Sequence, residues 1–336
     1  MSQLVTFYPN RVTIIPERSK QCIAQKIESV MRQSMKQRGI TYVSPNSLDN
    51  LKKKRQSLKL SKSSKKKMLD SINSMYCLSK SRKVRMKTGK YIYNFKCAFI
   101  TLTLPSSQQH SDVTIKKECL NQLLVELRKK YGIKNYVWKA ELQKNDNIHF
   151  HLVVDKYVDY QALRYRWNRI INKLGYVKKY AHKMQSLSLS DYARLRKSKI
   201  EDVKKAYAVG KKYKWSNPNS VDVRSVRNDD DLAIYLAKYL TKAEDGVNEK
   251  RILEFGRLWY RSQSLSRLKY INRIDLSLVK KGLKRLEKMK DVRVFIGDYF
   301  KVISFRLSSL PKKVSNHIKK LVFENAKMYN YPFPDS

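Results

Sequence analysis

The stretch from Tyr136 to Val154 constrains the fold more than any other. Two apolar-rich runs, Tyr136–Gln143 and Ile148–Val154, flank Asn145-Asp146-Asn147, residue types that favour turns, so the segment reads as an antiparallel hairpin. In the second run His149 and His151 stand two residues apart, and strand geometry sends both imidazoles to one face. Ile148, Phe150 and Leu152 alternate with them and turn to a core. Glu141 and Gln143 alternate in the same way on the first run. A loop with an odd number of residues, Asn145–Asn147, pairs Lys144 with Ile148, Gln143 with His149 and Glu141 with His151. That register puts the two acidic-strand residues on the histidine face. The hairpin then presents Glu141, His149 and His151 to one cation, with Gln143 as a further ligand or an outer donor. One carboxylate and two imidazoles suit Mg²⁺ or Mn²⁺ with positions left open for a phosphate, and zinc is the alternative.

The charge balance narrows the partner. Lys and Arg number 73 against 28 Asp and Glu, a net charge of +45 over 336 residues. Such an excess repels itself unless a polyanion is near, and nucleic acid is the leading candidate. No apolar run is long enough to span a bilayer and no signal-peptide pattern opens the chain, so the expectation is no membrane partner and a cytoplasmic location. The four cysteines are scattered without Cys-x-x-Cys, which fits reduced thiols rather than a disulfide framework or zinc cluster.

The rest of the chain divides into three. Residues 1–90 read as a basic N-terminal extension, partly disordered or helical, with a helix ending near Gly39 and a dense cationic run from Lys52 to Lys67. Lys52, Lys53, Lys54 and Arg55 are candidates for phosphate contact without sequence readout. Residues 91–245 read as the ordered domain. Phe95–Leu104 is a central strand closed by Pro105. A helix from Asp112 or Thr114 to Lys130 carries Leu120, Leu123, Leu124 and Leu127 on one face, with Gly132 as its stop. Tyr160–Leu174 is a second helix, about 177–219 an inserted basic helical segment, and Val221–Val226 an alternating strand. The pattern β-α-β-β-α predicts an α+β fold, a central antiparallel sheet with flanking helices. Residues 246–336 read as a small α-rich C-terminal region: a helix over 276–290, a strand over 292–296 and a terminal helix. Within it Arg257, Trp259 and Arg261 mix aromatic and cationic side chains in a way that suits single-stranded nucleic acid, while core packing explains the aromatics equally well.

Between Asp231 and Lys242 the sequence reads as an amphipathic helix with Tyr235 and Tyr239 four residues apart, hence on one face. Asn228 to Asp231 supply cap oxygens and negative charge at its start. Lys238 and Lys242 each follow a tyrosine by three. A buried aromatic stripe and solvated lysines would explain these residues separately. A metal-type hairpin, a tyrosine pair and a very basic chain together point to phosphoryl transfer. A phenol is a poor nucleophile at neutral pH unless a cation and a neighbouring lysine favour the phenolate.

In order along the chain, Phe99-Ile-Thr-Leu-Thr-Leu-Pro105, His149-Phe150-His151 behind an acidic strand, and Tyr235-Leu-Ala-Lys-Tyr-Leu-Thr-Lys242 resemble the motifs of HUH endonucleases. The resemblance is specifically to the two-tyrosine rolling-circle replication initiators of small single-stranded DNA phages of the Microviridae type. It spans roughly residues 91–245 and implies an RRM- or palm-like HUH fold. It also implies that a tyrosine attacks a DNA phosphodiester at a replication origin, giving a 5′-phosphotyrosine and a free 3′-OH, and that two tyrosines can alternate before strand joining. Catalytic roles would fall to Tyr235, Tyr239, Lys238 and Lys242, metal binding to Glu141, His149 and His151, and the location to a bacterial host's cytoplasm. No Gly-x-x-x-x-Gly-Lys-[Ser/Thr] is present, so no nucleotide cofactor is expected, and unwinding and synthesis would fall to a host helicase and polymerase. The alternatives are a plasmid relaxase or single-strand transposase with the same site, and a non-catalytic basic nucleic-acid-binding protein.

Overall fold

The computed structural model describes residues 3–16, 58–79, 82–85, 91–226, 249–267, 276–297 and 300–328. In chain order these form β1 (Gln3–Tyr8), β2 (Arg11–Pro16), α1 (Lys62–Leu78), β3 (Arg82–Arg85), β4 (Tyr91–Phe95) and β5 (Cys97–Leu102). Next come α2 (Asp112–Thr114), which runs through a π-helical stretch (Ile115–Leu120) into α3 (Asn121–Tyr131), then β6 (Tyr136–Leu142) and β7 (Ile148–Val154). They are followed by α4 (Tyr160–Asn172), α5 (Tyr176–Gln185), α6 (Leu189–Arg196), α7 (Ile200–Lys212) and β8 (Val221–Val226). The chain closes with α8 (Glu249–Glu254), β9 (Trp259–Arg261), α9 (Gln263–Arg267), α10 (Leu276–Glu287), β10 (Arg293–Gly297), β11 (Phe300–Ser304) and α11 (Lys312–Met328).

The protein is α+β. Its principal sheet has the order β8-β5-β7-β6-β9, and every neighbouring pair is antiparallel. Alternation gives the sheet two different faces. Ile100, Leu102, Trp138, Ala140, Phe150 and Leu152 point one way and are buried. Leu120, Leu123 and Leu127 of the first long helix, and Trp167 of α4, are buried in the same core. Trp167 meets Phe150 edge-on at 6.4 Å and donates its indole N–H to the Thr103 carbonyl at 2.8 Å. The helix ends where the sequence predicts. Gly132 takes φ +60°, the left-handed conformation that costs glycine least, and its N–H caps the Arg128 carbonyl.

The opposite face carries Thr101, Lys139, Glu141, His149 and His151, and α1 packs beside it against β6 and β9. Ser61 caps α1 by accepting from the Ser64 N–H, and Met68, Ile72 and Met75 bury its inner side. The helix thus takes up Lys62–Lys67, the end of the cationic run that reads from sequence as an unpacked arm, because an apolar stripe follows directly.

Two expectations change. The hairpin turn is one residue earlier than supposed. Gln143 donates its N–H to the Asn147 carbonyl and accepts from the Asp146 N–H, with Asp146 at φ +60°. This is a three-residue loop, Lys144–Asp146, of the type I plus left-handed kind. Leu142 therefore pairs with Ile148, Glu141 with His149 and Lys139 with His151, instead of Gln143 with His149 and Glu141 with His151. The slip is two positions along one strand, so the parity, and with it the shared face, survives.

The chain ends also differ. Residues 3–16, expected within a disordered or helical extension, are a β-hairpin. It joins the β10–β11 hairpin of the expected α-rich region in a second antiparallel sheet, order β1-β2-β11-β10. Pairing between the two ends of a sequence leaves no local signal. Arg11 of β2 ties this sheet to α1 through a two-pronged ion pair with Asp70, at 2.6 and 2.9 Å. The inserted segment is helical as expected, α5 to α7, and Met184, Tyr192, Ala193, Val203 and Trp215 give it a small core of its own. Trp215 lies so close to Gly210 that a Cβ there would fall 2.2 Å from the ring. Cys97 and Cys119 are buried free thiols, pushed up to about 12 and about 11 mainly by burial.

Candidate metal centre

Adjacent strands β6 and β7 hold the site rigidly, and β5 supports it from the other side. Glu141 Oε1 lies 2.7 Å from His151 Nε2 and 3.1 Å from His149 Nε2, and the two Nε2 atoms are 2.5 Å apart. The imidazole planes are nearly perpendicular, at 88°. Six-coordinate bonds of about 2.1 Å at right angles separate neighbouring ligand atoms by about 3 Å, close to these spacings. Three lone-pair donors aimed at one point fit a divalent cation, and among the described residues this is the one group of three or more His, Cys, Asp or Glu that can hold a metal. His149 Nδ1 is buried without a hydrogen-bond partner. The ring is therefore not kept in place by a structural hydrogen bond, which leaves Nε2 as the atom with work to do.

Two residues that the sequence reading passed over complete the environment. Lys139 donates from Nζ to Glu141 Oε2 at 2.9 Å, so one carboxylate oxygen is tied down and the other faces the histidines. Thr101 Oγ1 lies 3.3 Å from His151 Nδ1, an arrangement that fixes the proton on Nδ1 and frees Nε2 as a ligand. Phe99 stacks on the His151 ring at 5.6 Å. The signal for both was parity: Lys139 precedes Glu141 by two, and Thr101 sits inside the motif strand, opposite His151. Thr101→Val keeps the strand and removes the acceptor, so it is expected to weaken Mn²⁺ binding about tenfold in a calorimetric titration. Unchanged affinity would assign the threonine to packing alone.

The electrostatics favour a loaded site. Burial alone would raise Glu141, but hydrogen bonds from His149 and His151 and the Lys139 charge outweigh it and hold the carboxyl well below its usual range. Burial pushes His151 down to about 4 despite Glu141. His151 is thus neutral, the ligand form, through the physiological range. The linkage sign follows: between pH 6.5 and 4 the unfolded chain binds the proton and the folded chain does not, so metal-free stability falls as pH drops through that window. The urea midpoint of metal-free protein is expected to fall between pH 7 and 5, and to fall less in His151→Gln. Equal pH dependence in both would show that His151 does not carry the effect.

Of the other sequence candidates, Gln143 is the first residue of the turn, half-buried, and no longer faces His149 across the ladder. Trp259 pairs with Lys139 and Arg261 with Val137 on the edge strand β9. Arg257 lies over the Tyr260 ring at 4.7 Å, and Arg261 donates to Ser71 at 2.8 Å. Tyr235, Lys238, Tyr239 and Lys242, Lys52 to Arg55, and the helix end near Gly39 lie outside the described residues.

Residues 97–244, just under half of the chain, match a family model of replication-associated proteins of the ORF2 type. The matched segment contains the Glu-His-His group and both tyrosines, and the likeness supports a replication-associated protein that binds DNA. No curated protein and no solved structure matches the chain. Among the described residues no helix is long and apolar enough to cross a membrane.

Proposed function

We propose that this protein initiates rolling-circle replication by cutting and rejoining single-stranded DNA at an origin through a tyrosine nucleophile. The observation that carries the reading is the convergence of Glu141 Oε1 and the Nε2 atoms of His149 and His151 inside a segment similar to replication-associated proteins. Two imidazoles and one carboxylate favour Mg²⁺ or Mn²⁺, which when bound would polarise the scissile phosphodiester and stabilise developing negative charge. Glu141, His149 and His151 would hold the ion, Lys139 would keep the carboxylate turned toward it, and Thr101 would fix the His151 tautomer.

Tyr235 or Tyr239 then attacks phosphorus through its phenolic oxygen. A bond forms between that oxygen and phosphorus, the P–O3′ bond breaks, and the 3′ oxygen leaves and takes up a proton. Lys238 and Lys242 favour the phenolate by their charge. Chain connectivity supports this assignment. Residues 227–248 join β8 at one edge of the sheet to α8, which precedes β9 at the other edge, roughly 20 Å away across four strand spacings. One face of the sheet is already packed with helices, whereas the other bears the metal group. A second tyrosine permits a second cut while the first holds the 5′ end, and a host helicase and polymerase would extend the freed 3′-OH.

The test is a nicking assay on circular and linear single-stranded DNA carrying candidate phage origins. Cleavage with Mn²⁺ or Mg²⁺, none with a chelator and none with Glu141→Ala is the expected pattern. Full activity in the chelator or in Glu141→Ala would remove the metal group from the mechanism.

A further inference from the structure

A groove of about 530 Å³ separates the start of α1 from β9, and its walls are cationic and aromatic. Lys59 and Lys67 line one side, Arg257 and Arg261 the other, with Trp259 and Tyr260 between them and no carboxylate in the lining. Tyr260 is 38% exposed, large for a tyrosine on a sheet strand, and Arg257 lies over its ring. The groove is in line with the metal group. Trp259 pairs with Lys139, and Lys139 pairs with His151, so directly opposed side chains run from the histidines to the groove across two strand spacings, about 10 Å. Its size falls within the range of ligand sites.

Resting on the function proposed above, we infer that this groove holds the unpaired nucleotides beside the scissile phosphate. Their bases would stack on Trp259 and Tyr260, and their phosphates would lie against the four cations. Charge selects a polyanion, and the aromatic walls select one with exposed flat bases. A duplex keeps its bases stacked on one another and offers only phosphates. The N-terminal helix α1 would then be a working wall of the DNA site, a role that the residues 97–244 likeness does not reach.

The experiment measures binding of a fluorescent oligothymidylate to the full chain by anisotropy, in chelator so that no strand is cut. Trp259→Ala is expected to weaken binding about tenfold and Tyr260→Ala by a similar factor, with Trp259→Phe close to wild type. The exposed pair Lys67→Ala/Arg257→Ala should flatten the slope of log affinity against log salt by about 1.4, since each lost single-strand phosphate contact removes about 0.7. An abasic oligonucleotide should bind wild type more weakly and be indifferent to Trp259→Ala. Wild-type affinity in Trp259→Ala and Tyr260→Ala, or a duplex as sensitive to them as a single strand, would overturn the proposal. The outcome separates from that of the nicking assay. A protein that nicks normally but whose groove variants bind normally loses only the groove, and one whose groove variants bind weakly but which never nicks loses only the nuclease reading.

Discussion

Replacing His151 by alanine is expected to abolish Mn²⁺-dependent cleavage, lowering the rate by about a thousandfold. The figure follows from the several kcal/mol that a bound cation contributes to phosphoryl transfer, at about tenfold per 1.4 kcal/mol. His151 is 2.7 Å from Glu141 Oε1 and 2.5 Å from His149 Nε2, so its loss removes one of three ligands and unpairs the other two. Thermal denaturation provides a second readout independent of DNA. A cation at about a hundred times its dissociation constant stabilises the native state by about 2.7 kcal/mol, and His151→Ala should lose that increment. In the metal-free state the variant should be no less stable than wild type near pH 5, because a histidine that resists protonation has been removed. Equal Mn²⁺ stabilisation of variant and wild type would place the ion elsewhere.

The largest stability effect is expected at Phe150, the residue between the two histidines. Its side chain is 1% exposed and meets Trp138 at 6.3 Å and Trp167 at 6.4 Å, both edge-on. Truncating a buried phenylalanine costs about 3–5 kcal/mol through lost transfer energy and the cavity left behind, and here two aromatic contacts go as well. Phe150→Ala should therefore lower the unfolding free energy by about 4 kcal/mol in urea titration, and Phe150→Leu by much less. Because Phe150 anchors the strand that aims both imidazoles, the alanine variant should also bind Mn²⁺ more weakly under native conditions. A loss below about 1 kcal/mol would mean that α4 does not depend on this contact.

The central site was legible because a strand has a period of two. That period alone put His149 and His151 on one face, and an even offset between the paired strands put Glu141 with them. The same rule tolerates a slip of two residues. The misplaced turn therefore changed Glu141's partner from His151 to His149 without changing the site. The turn was misjudged because Asn145, Asp146 and Asn147 all accept unusual backbone conformations, and only the structure shows that Asp146 takes the left-handed one. Lys139 and Thr101 were equally available to the parity rule. They were missed because neither residue type is a metal ligand, and their roles depend on which strand lies opposite. The second sheet was invisible for another reason. Gln3–Tyr8 and Phe300–Ser304 belong to one sheet through β2, and pairing across nearly the whole chain follows from three-dimensional closure and not from local pattern.

The most direct test of the account is the identity of the residue that becomes linked to DNA. Wild-type protein, labelled single-stranded origin DNA and Mn²⁺ should give an adduct that survives denaturation, and digestion followed by mass spectrometry should find the nucleotide on Tyr235 or Tyr239. Tyr235→Phe and Tyr239→Phe should each retain a first cut, and the double variant none. Free 5′-phosphate ends without any adduct, or an adduct that persists in the double variant, would contradict a tyrosine nucleophile in this helix segment.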